Sequence, residues 1–281
     1  MENLHHFIGE SYPYLFTINN LIIKESTLEH TSSINPLNSF KEFNTILQTA
    51  SSLGSLSLLK TMNISSKTFF LGEKSRIRKI HTNSIGPELK YCAKSLLFSK
   101  RNGKSLVDIF NHHNQLAYTF ELDYVIFSEE SFHRVFKDYY AEKVPITNTP
   151  LTDYKEVALD LISPSYFKVN IKEFSNEQCA GHFDHYPIVP AVFIVNRLLE
   201  AIEQFFKLQG ELLQSKTLLI DSLEIFPNKA IPTYTELNSL VYYRQIAKDS
   251  YLFVCSLNDH QTEYGNYIIT VKINPLPPPR E

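Results

Sequence analysis

A duplicated α+β unit, in which each copy is a strand, one long helix and a run of antiparallel strands, is what this 281-residue sequence predicts. The first observation is a repeat. Slid back by 152 positions, the second half keeps step with the first for some 30 residues, with Tyr14 on Tyr166, His30 on His182, Asn44 on Asn196 and Ala50 on Ile202. A repeat at one fixed offset outranks local patterning, because missing it assigns the wrong fold. The second observation is that both halves run through the same kinds of segment in the same order. The third is composition: 43% apolar and 13% aromatic residues are enough for each half to bury a core, which excludes disordered and fibrous classes.

In chain order, YLFTINNLIIKE from Tyr14 lies over YFKVNIKEFSNE from Tyr166, and both read as strands. FNTILQTASSLGSLSLL from Phe43 then lies over VNRLLEAIEQFFKLQG from Val195, both with apolar residues three and four apart, the spacing of a helix face. SRIRKIH, ELKYCAKSLLFSK and KSLVDIFNHHNQLAYTFELDYVIF follow in the first half. TLLIDSLEIF, ELNSLVYYRQIA and SYLFVCSLNDHQTEYGNYIITVKI answer them in the second. These β-branched and aromatic runs break at Arg101-Asn102-Gly103 and Glu263-Tyr264-Gly265, which read as turns. Residues 141–153, with Pro145 and Pro150, read as a linker between an N-terminal unit, 1–140, and a C-terminal unit, 154–275. The tail, 276–281, is proline-rich and cannot donate to a strand ladder.

Composition also restricts function. Lys and Arg number 27 against 30 Asp and Glu, and the net charge of −3 offers no basic field for a phosphate backbone, so no nucleic-acid partner is expected. No stretch approaches the roughly 18 apolar residues that span a bilayer. The start, MENLHHFIGESYPYLF, lacks the pattern of a secretory signal. Cys92, Cys179 and Cys255 are odd in number, far apart and without a CxxC pair, which argues for buried filler in a reducing cytoplasm. Neither G-x-x-x-x-G-K nor G-x-G-x-x-G occurs, so no nucleotide cofactor is expected. The absence of a G-x-S-x-G elbow weakens a serine-hydrolase reading.

The segment that carries chemistry runs from Gly181 to Asn196, GHFDHYPIVPAVFIVN. Pro187 and Pro190 stiffen a turn, and a helix starts directly after it, where proline is best tolerated. The amides of Ala191 and Val192 are then free N–H groups at a helix N-terminus, suited to a carbonyl oxygen that gains negative charge. His182, held beside them, is a candidate general acid or base near neutral pH.

G-H-F-x-x-x-P-x-x-P-[GA]-V resembles the signature of the β-hydroxyacyl-carrier-protein dehydratases, whose hotdog fold wraps an antiparallel sheet around a central helix. The resemblance covers both halves, and so implies a double hotdog with two long central helices, a fused version of that family's dimer. It also implies an active site shared between units, with the histidine from one and an acid on the long helix of the other, 14 positions after that unit's own histidine. Carried over by spacing, the acid position is Asn44 in the first half, with Gln48 one turn later, and Asn196 in the second, followed by Glu200. The composite site is then His182, Asn44 and Gln48, with Gly181, Phe183, Pro190, Ala191 and Val192 as the substrate-binding frame. His30 with Asn196 is a possible second site, although the loop EHTSSINPLNSF has neither the Gly nor the Phe. Asparagine keeps the size of aspartate but cannot exchange a proton near pH 7. Ala191 stands where that family has Gly.

The resemblance implies a hydro-lyase of fatty-acid or secondary-metabolite biosynthesis. Its substrate would ride on the phosphopantetheine of acyl carrier protein or coenzyme A, with no resident cofactor, and the chain would be a monomeric pseudo-dimer or a homodimer of double hotdogs. Two other hotdog readings stand beside it. One is A-factor synthase-type acyl transfer or condensation, whose Asp-His placed directly before Val-Pro-Gly is missing here. The other is a scaffold that binds acyl carrier protein after losing the acid. The remaining candidates have plainer readings. Asp184 and His185 are expected in a solvated turn, without further ligands at zinc spacing, so no metal is expected. His5-His6 and His112-His113 are expected to be solvated, and Phe205-Phe206 and Tyr242-Tyr243 to be core or strand-face residues.

Overall fold

The computed structural model describes residues 4–15, 21–33, 39–64, 66–80, 87–144, 157–210 and 216–275. The first half contains strands β1 (Ile22–Ile23) and β2 (Leu28–Ser33), helix α1 (Ser39–Met62), strands β3 (Thr68–Lys79), β4 (Glu88–Leu97), β5 (Asn102–Asn111) and β6 (Leu116–Ser128), and a short helix α2 (Glu129–Phe136). The second contains β7 (Ala158–Ser163), β8 (Tyr166–Ile171), helix α3 (Ala191–Leu208), and strands β9 (Lys216–Pro227), β10 (Leu237–Ala247), β11 (Ser250–Asn258) and β12 (Glu263–Pro275).

Among the described residues all twelve strands form one antiparallel sheet in the order β1-β2-β4-β5-β6-β3-β9-β12-β11-β10-β8-β7. Read from its two ends, this order is the same walk through each half, meeting at β3 and β9. There Ser75 to Arg78 pair with Ile225 to Ser222, so the sheet runs unbroken across the seam. Alternation shows which face is covered: β5 is buried at every second residue along its length, the period of a strand packed on one side. Against that face lie α1 and α3. Eleven of the 18 residues of α3 are buried, and Ile46, Leu47, Ala50 and Leu53 of α1 are each at most 2% exposed. The architecture is a double hotdog, one sheet wrapped around two long helices.

Helix α1 carries an unusual number of small residues because strands approach it closely. A Cβ on Gly54 would come within 2.7 Å of Leu122 and 2.8 Å of the Tyr124 hydroxyl, so the helix tolerates the roughly 1 kcal/mol cost of an interior glycine. Ser105 Oγ donates to the Gly54 carbonyl at 2.7 Å, tying β5 to the same point.

The structure corrects the sequence reading in several places. Tyr14 lies in a turn closed by the Leu15 N–H on the Ser11 carbonyl, and residues 16–20 of the expected strand lie outside the described residues. The strand that holds the place of β8 in the first half is β2, 138 positions before it, whereas α1 and α3 keep the offset of 152. The difference is a 14-residue lengthening between strand and helix in the second half, residues 172–190 against 34–38. An ungapped repeat therefore misplaces everything ahead of the helix. His30 falls on β2, opposite Tyr91 and 7% exposed, so it is neither a turn histidine nor the counterpart of His182. The last hairpin turns at Asp259 to Thr262, where the Asp259 carboxylate accepts two backbone N–H groups at 2.7 Å, and Glu263-Tyr264-Gly265 already belongs to β12. Of the expected linker, residues 145–153 lie outside the described residues, as does the tail 276–281.

Candidate active site

The inserted segment 172–190 builds the site. Both of its ends are pinned to residues 230–234: the Val189 N–H donates to the Ile231 carbonyl at 3.0 Å, and the Tyr234 N–H to the Phe174 carbonyl at 2.8 Å. Its middle is held by a strap at the N-terminus of the chain. Within residues 7–11 the Gly9 N–H donates to Thr68 at the start of β3, and the Gly9 carbonyl accepts the Asp184 N–H, both at 2.8 Å. The Ser11 N–H donates to the Gly181 carbonyl, also at 2.8 Å. The strap thus joins first-half sheet to second-half loop. Gly181 is required for two reasons: its φ of +81° is left-handed, and a Cβ would lie 2.4 Å from the Ser11 carbonyl oxygen.

On this frame His182 is half-buried between two rings, Phe183 stacked at 4.2 Å and Tyr14 tilted at 4.7 Å. Nδ1 lies 2.9 Å from the Ile188 carbonyl, which can only accept, so Nδ1 carries the proton and Nε2 holds a lone pair. Burial drives the imidazole pKa down to about 4, and the Ile188 carbonyl pulls it back only in part. At neutral pH the ring is uncharged and Nε2 is a base.

Helix α3 opens immediately after the loop. Pro190 is its N-cap, without a side-chain capping bond, and the first N–H to find a backbone acceptor is that of Phe193, on the Pro190 carbonyl at 3.0 Å. The amides of Ala191 and Val192 precede it. They are among the donors that a helix start always leaves over, and they carry the positive end of the helix dipole. Phe183, 3% exposed, turns the other way, into a separate aromatic cluster with Phe69 and Phe132, and anchors the loop.

The expected acid positions sit elsewhere. Asn44 and Asn196 meet where α1 and α3 cross, with Asn44 Nδ2 donating to Asn196 Oδ1, so the two repeat-related amides bond to one another. Gln48 Nε2 donates to the Tyr14 carbonyl at 2.8 Å, behind the ring that covers His182. Gln48 therefore reaches the histidine through Tyr14, and no bond joins Asn44 to His182 among the described residues. Glu200 bonds Arg197 at 2.5 Å. Asp184 is ion-paired with Lys67, and His185 is exposed with a φ of +65°. The described residues contain no group of three or more side chains arranged to hold a metal.

Sequence reasoning missed three features. Tyr14 was an ordinary strand residue in the linear pattern, and only the turn brings its ring to His182. Glu10, on the strap, is 7% exposed; Ser55 Oγ lies 3.1 Å from one carboxyl oxygen, and the other has no partner among the described residues. Burial raises its pKa to about 8, against the smaller opposing effect of Ser55 and Ser52. Helix α2 packs Phe132 on Phe69 at 4.1 Å and supplies one wall of a cavity of about 290 Å³. Lys67, His133, Tyr140, His185 and Tyr186 line it, and His182 does not. The signal for α2 was present at Ser128-Glu129-Glu130, a capping serine followed by acids in the first turn.

Solved structures define the class to which this architecture belongs, the double hotdog. A protein provisionally assigned as an oleoyl thioesterase from Lactobacillus plantarum superimposes with a TM-score of 0.59 at 8% identity, over 90% of this chain and 97% of that one. The 12:0-ACP thioesterase from Umbellularia californica does so with a TM-score of 0.53 at 10% identity, over 88% and 94%. A conserved protein with a hot dog fold from Alicyclobacillus acidocaldarius gives 0.50 at 10% identity, over 94% and 98%. No protein-family model matches the chain, and neither does any curated protein sequence. At these identities the likeness is one of fold.

Proposed function

We propose that this protein is an acyl-thioester hydrolase acting on an acyl group carried by the phosphopantetheine of coenzyme A or acyl carrier protein. The observation that carries the reading is the placement of a neutral His182, Nε2 unprotonated, at the uncapped start of α3. Hydrolysis needs one base to take a proton from water and donors for the carbonyl oxygen as it becomes tetrahedral. His182 Nε2 serves as the base, and the Ala191 and Val192 amides as donors. Fold neighbours described as an oleoyl and a 12:0-ACP thioesterase support the same class of reaction.

Dehydration of a 3-hydroxyacyl thioester is the second reading, favoured by the spacing from Gly181 to Val192. It asks for a proton donor at the β-hydroxyl in addition to the base. The position on α1 that the spacing assigns to that donor holds Asn44, an amide already bonded to Asn196. Hydrolysis is therefore the better fit. Two assays separate the readings: release of free thiol from saturated acyl-CoA, and enoyl formation from 3-hydroxyacyl-CoA. Thiol release that falls about 10²–10⁴-fold in His182→Ala is expected. Enoyl formation without thiol release reverses the order, and neither product in wild type rejects both readings.

A further inference from the structure

We propose that the cavity between α2 and the loop 181–189 binds a small organic cation with a methylated ammonium head, and that its occupant steadies the loop carrying His182. The cavity lies outside the candidate catalytic centre: His182 does not line it, and the Phe183 ring, 4.2 Å from His182 and 5.0 Å from Phe132, packs against both. The inference does not depend on the hydrolase reading.

Three rings make its walls. Tyr140, Tyr186 and His133 all line the cavity. The ring centroids are 5.6 Å apart for Tyr140 and Tyr186, 5.7 Å for His133 and Tyr140, and 6.2 Å for His133 and Tyr186. The corresponding planes cross at 66°, 85° and 69°. Planes that meet this steeply in pairs form the corner of a box, and a cation in such a corner meets ring quadrupoles from three directions. The corner is fixed from both sides. The Tyr186 hydroxyl lies 2.6 Å from His133 Nδ1, which locks two walls together. The third is held through the backbone, since the Ala141 N–H, next to Tyr140, donates to the His185 carbonyl at 2.8 Å. His185 accepts that bond with a φ of +65°, a left-handed conformation that a residue with a side chain adopts only at a cost.

Charge selects the sign of the ligand. With histidine counted as neutral, the lining carries one ammonium, Lys67, against two carboxylates, Glu129 and Asp184. Lys67 is ion-paired with Asp184, so these two largely cancel. Glu129, in the first turn of α2, has no ion pair among the described residues. Its field reaches the walls: burial raises the Tyr186 phenol above its ordinary value, and Tyr140 and then Glu129 add to the rise. An anion entering here would face Glu129 and find the one lysine already engaged. A cation gains both the rings and the carboxylate.

The supply of acceptors selects the head group. A primary ammonium brings three N–H donors, each of which needs an acceptor. Here the Asp184 carboxylate is engaged by Lys67 and the Tyr186 hydroxyl by His133. A quaternary head donates no hydrogen bond, and its spread charge suits ring faces. The volume, about 290 Å³, is just below the roughly 300–1,000 Å³ of pockets that take drug-sized ligands, so the occupant is small. Its position gives it a hold on the loop. Asp184, His185 and Tyr186 follow His182 closely in the chain, while Glu129 and His133 belong to α2 and Tyr140 follows it. An occupant that touches both sides bridges them, and its contacts favour the arrangement in which the loop is docked on α2.

The test titrates the full chain with choline, followed by proton NMR. Wild type is expected to saturate with a Kd on the order of 1 mM, the N-methyl resonance moving upfield under the rings. Two further probes need no variant: the neutral tert-butyl isostere of choline, and ethanolamine, which has a primary ammonium. Each should bind about tenfold more weakly or worse. Tyr140→Ala should weaken choline about tenfold and Glu129→Gln about threefold. Choline should also slow amide hydrogen exchange across residues 181–189 in wild type, and not in Tyr140→Ala. An isostere that binds as tightly as choline shows a pocket indifferent to charge and overturns the proposal; equal binding of ethanolamine overturns the methylated head. Saturable binding of inorganic phosphate in place of choline, no saturation by choline, or full choline affinity in Tyr140→Ala also overturns it. Choline that binds without slowing exchange in residues 181–189 overturns the hold on the loop.

Discussion

His182 and Glu10 are linked to stability in opposite senses, which makes their protonation states measurable without substrate. The histidine has a folded pKa near 4 against 6.5 unfolded, so its unfolded form binds more protons between those values. Its contribution is complete above pH 6.5 and is lost as pH falls toward 4. Glu10 has a folded pKa near 8 against 4.5, so its contribution is complete below pH 4.5 and is lost as pH rises through 8. Between pH 4.5 and 6.5 the two slopes oppose one another; from 6.5 to 8 Glu10 acts alone. Urea midpoints of wild type are expected to fall between pH 6.5 and 8.5, whereas those of Glu10→Gln stay level across that interval. A parallel fall in both proteins would mean that another group titrates. Gly181 offers a steric test at the same scale. Gly181→Ala must adopt a φ of +81° with its Cβ against the Ser11 carbonyl. A loss of about 1–3 kcal/mol in chemical denaturation is expected, together with loss of turnover as the histidine is displaced.

Among the elements, α2 is the one whose role reaches furthest beyond its length. It is eight residues long and contributes little to the sheet, yet Phe132 is fully buried between Phe69, 4.1 Å away, and Phe183, 5.0 Å away. It therefore braces the loop through Phe183. Phe132→Ala is expected to cost about 3–5 kcal/mol and to raise amide hydrogen exchange selectively across residues 181–189. Uniform acceleration over the whole chain would instead mean that α2 supports the fold without bracing the site. The same elements show what could be read in the sequence. The two long helices were legible because their apolar residues recur at helical spacing and keep one offset. The strand ahead of α1 was misplaced because an ungapped repeat cannot register the longer second-half loop. His182 was legible because Gly181, the two prolines and the helix start are contiguous. The burial of Glu10 was not, since only the tertiary placement of the strap sets its carboxyl against Ser55 of α1. Asn44 and Asn196 were found as a pair by the repeat, but their bonding to one another depends on how the helices cross.

At the scale of the whole molecule, the seam decides whether the halves are independent. An isolated half would expose β3 or β9 as an open edge with unpaired backbone groups, a ready template for aggregation. It would also uncover the faces on which α1 and α3 meet, including Asn44 or Asn196. The strap adds a third tie, since Gly9 and Ser11 of the first half bond Asp184 and Gly181 of the second. The Arg76–Glu224 ion pair, at 3.4 Å and partly exposed, adds at most about 1 kcal/mol, so backbone pairing and buried apolar surface carry the joint. We propose that the two units form one cooperative body, although the sequence reads as two. A protease site placed within residues 145–153 tests this directly. The nicked protein is expected to co-elute as one particle, to unfold in a single calorimetric transition and to keep any thiol release that the intact chain shows, while either fragment expressed alone is insoluble or self-associates. Two separate transitions in the intact chain, or a soluble monomeric C-terminal fragment with full activity, would mean that neither strap nor seam is needed to hold His182 in place.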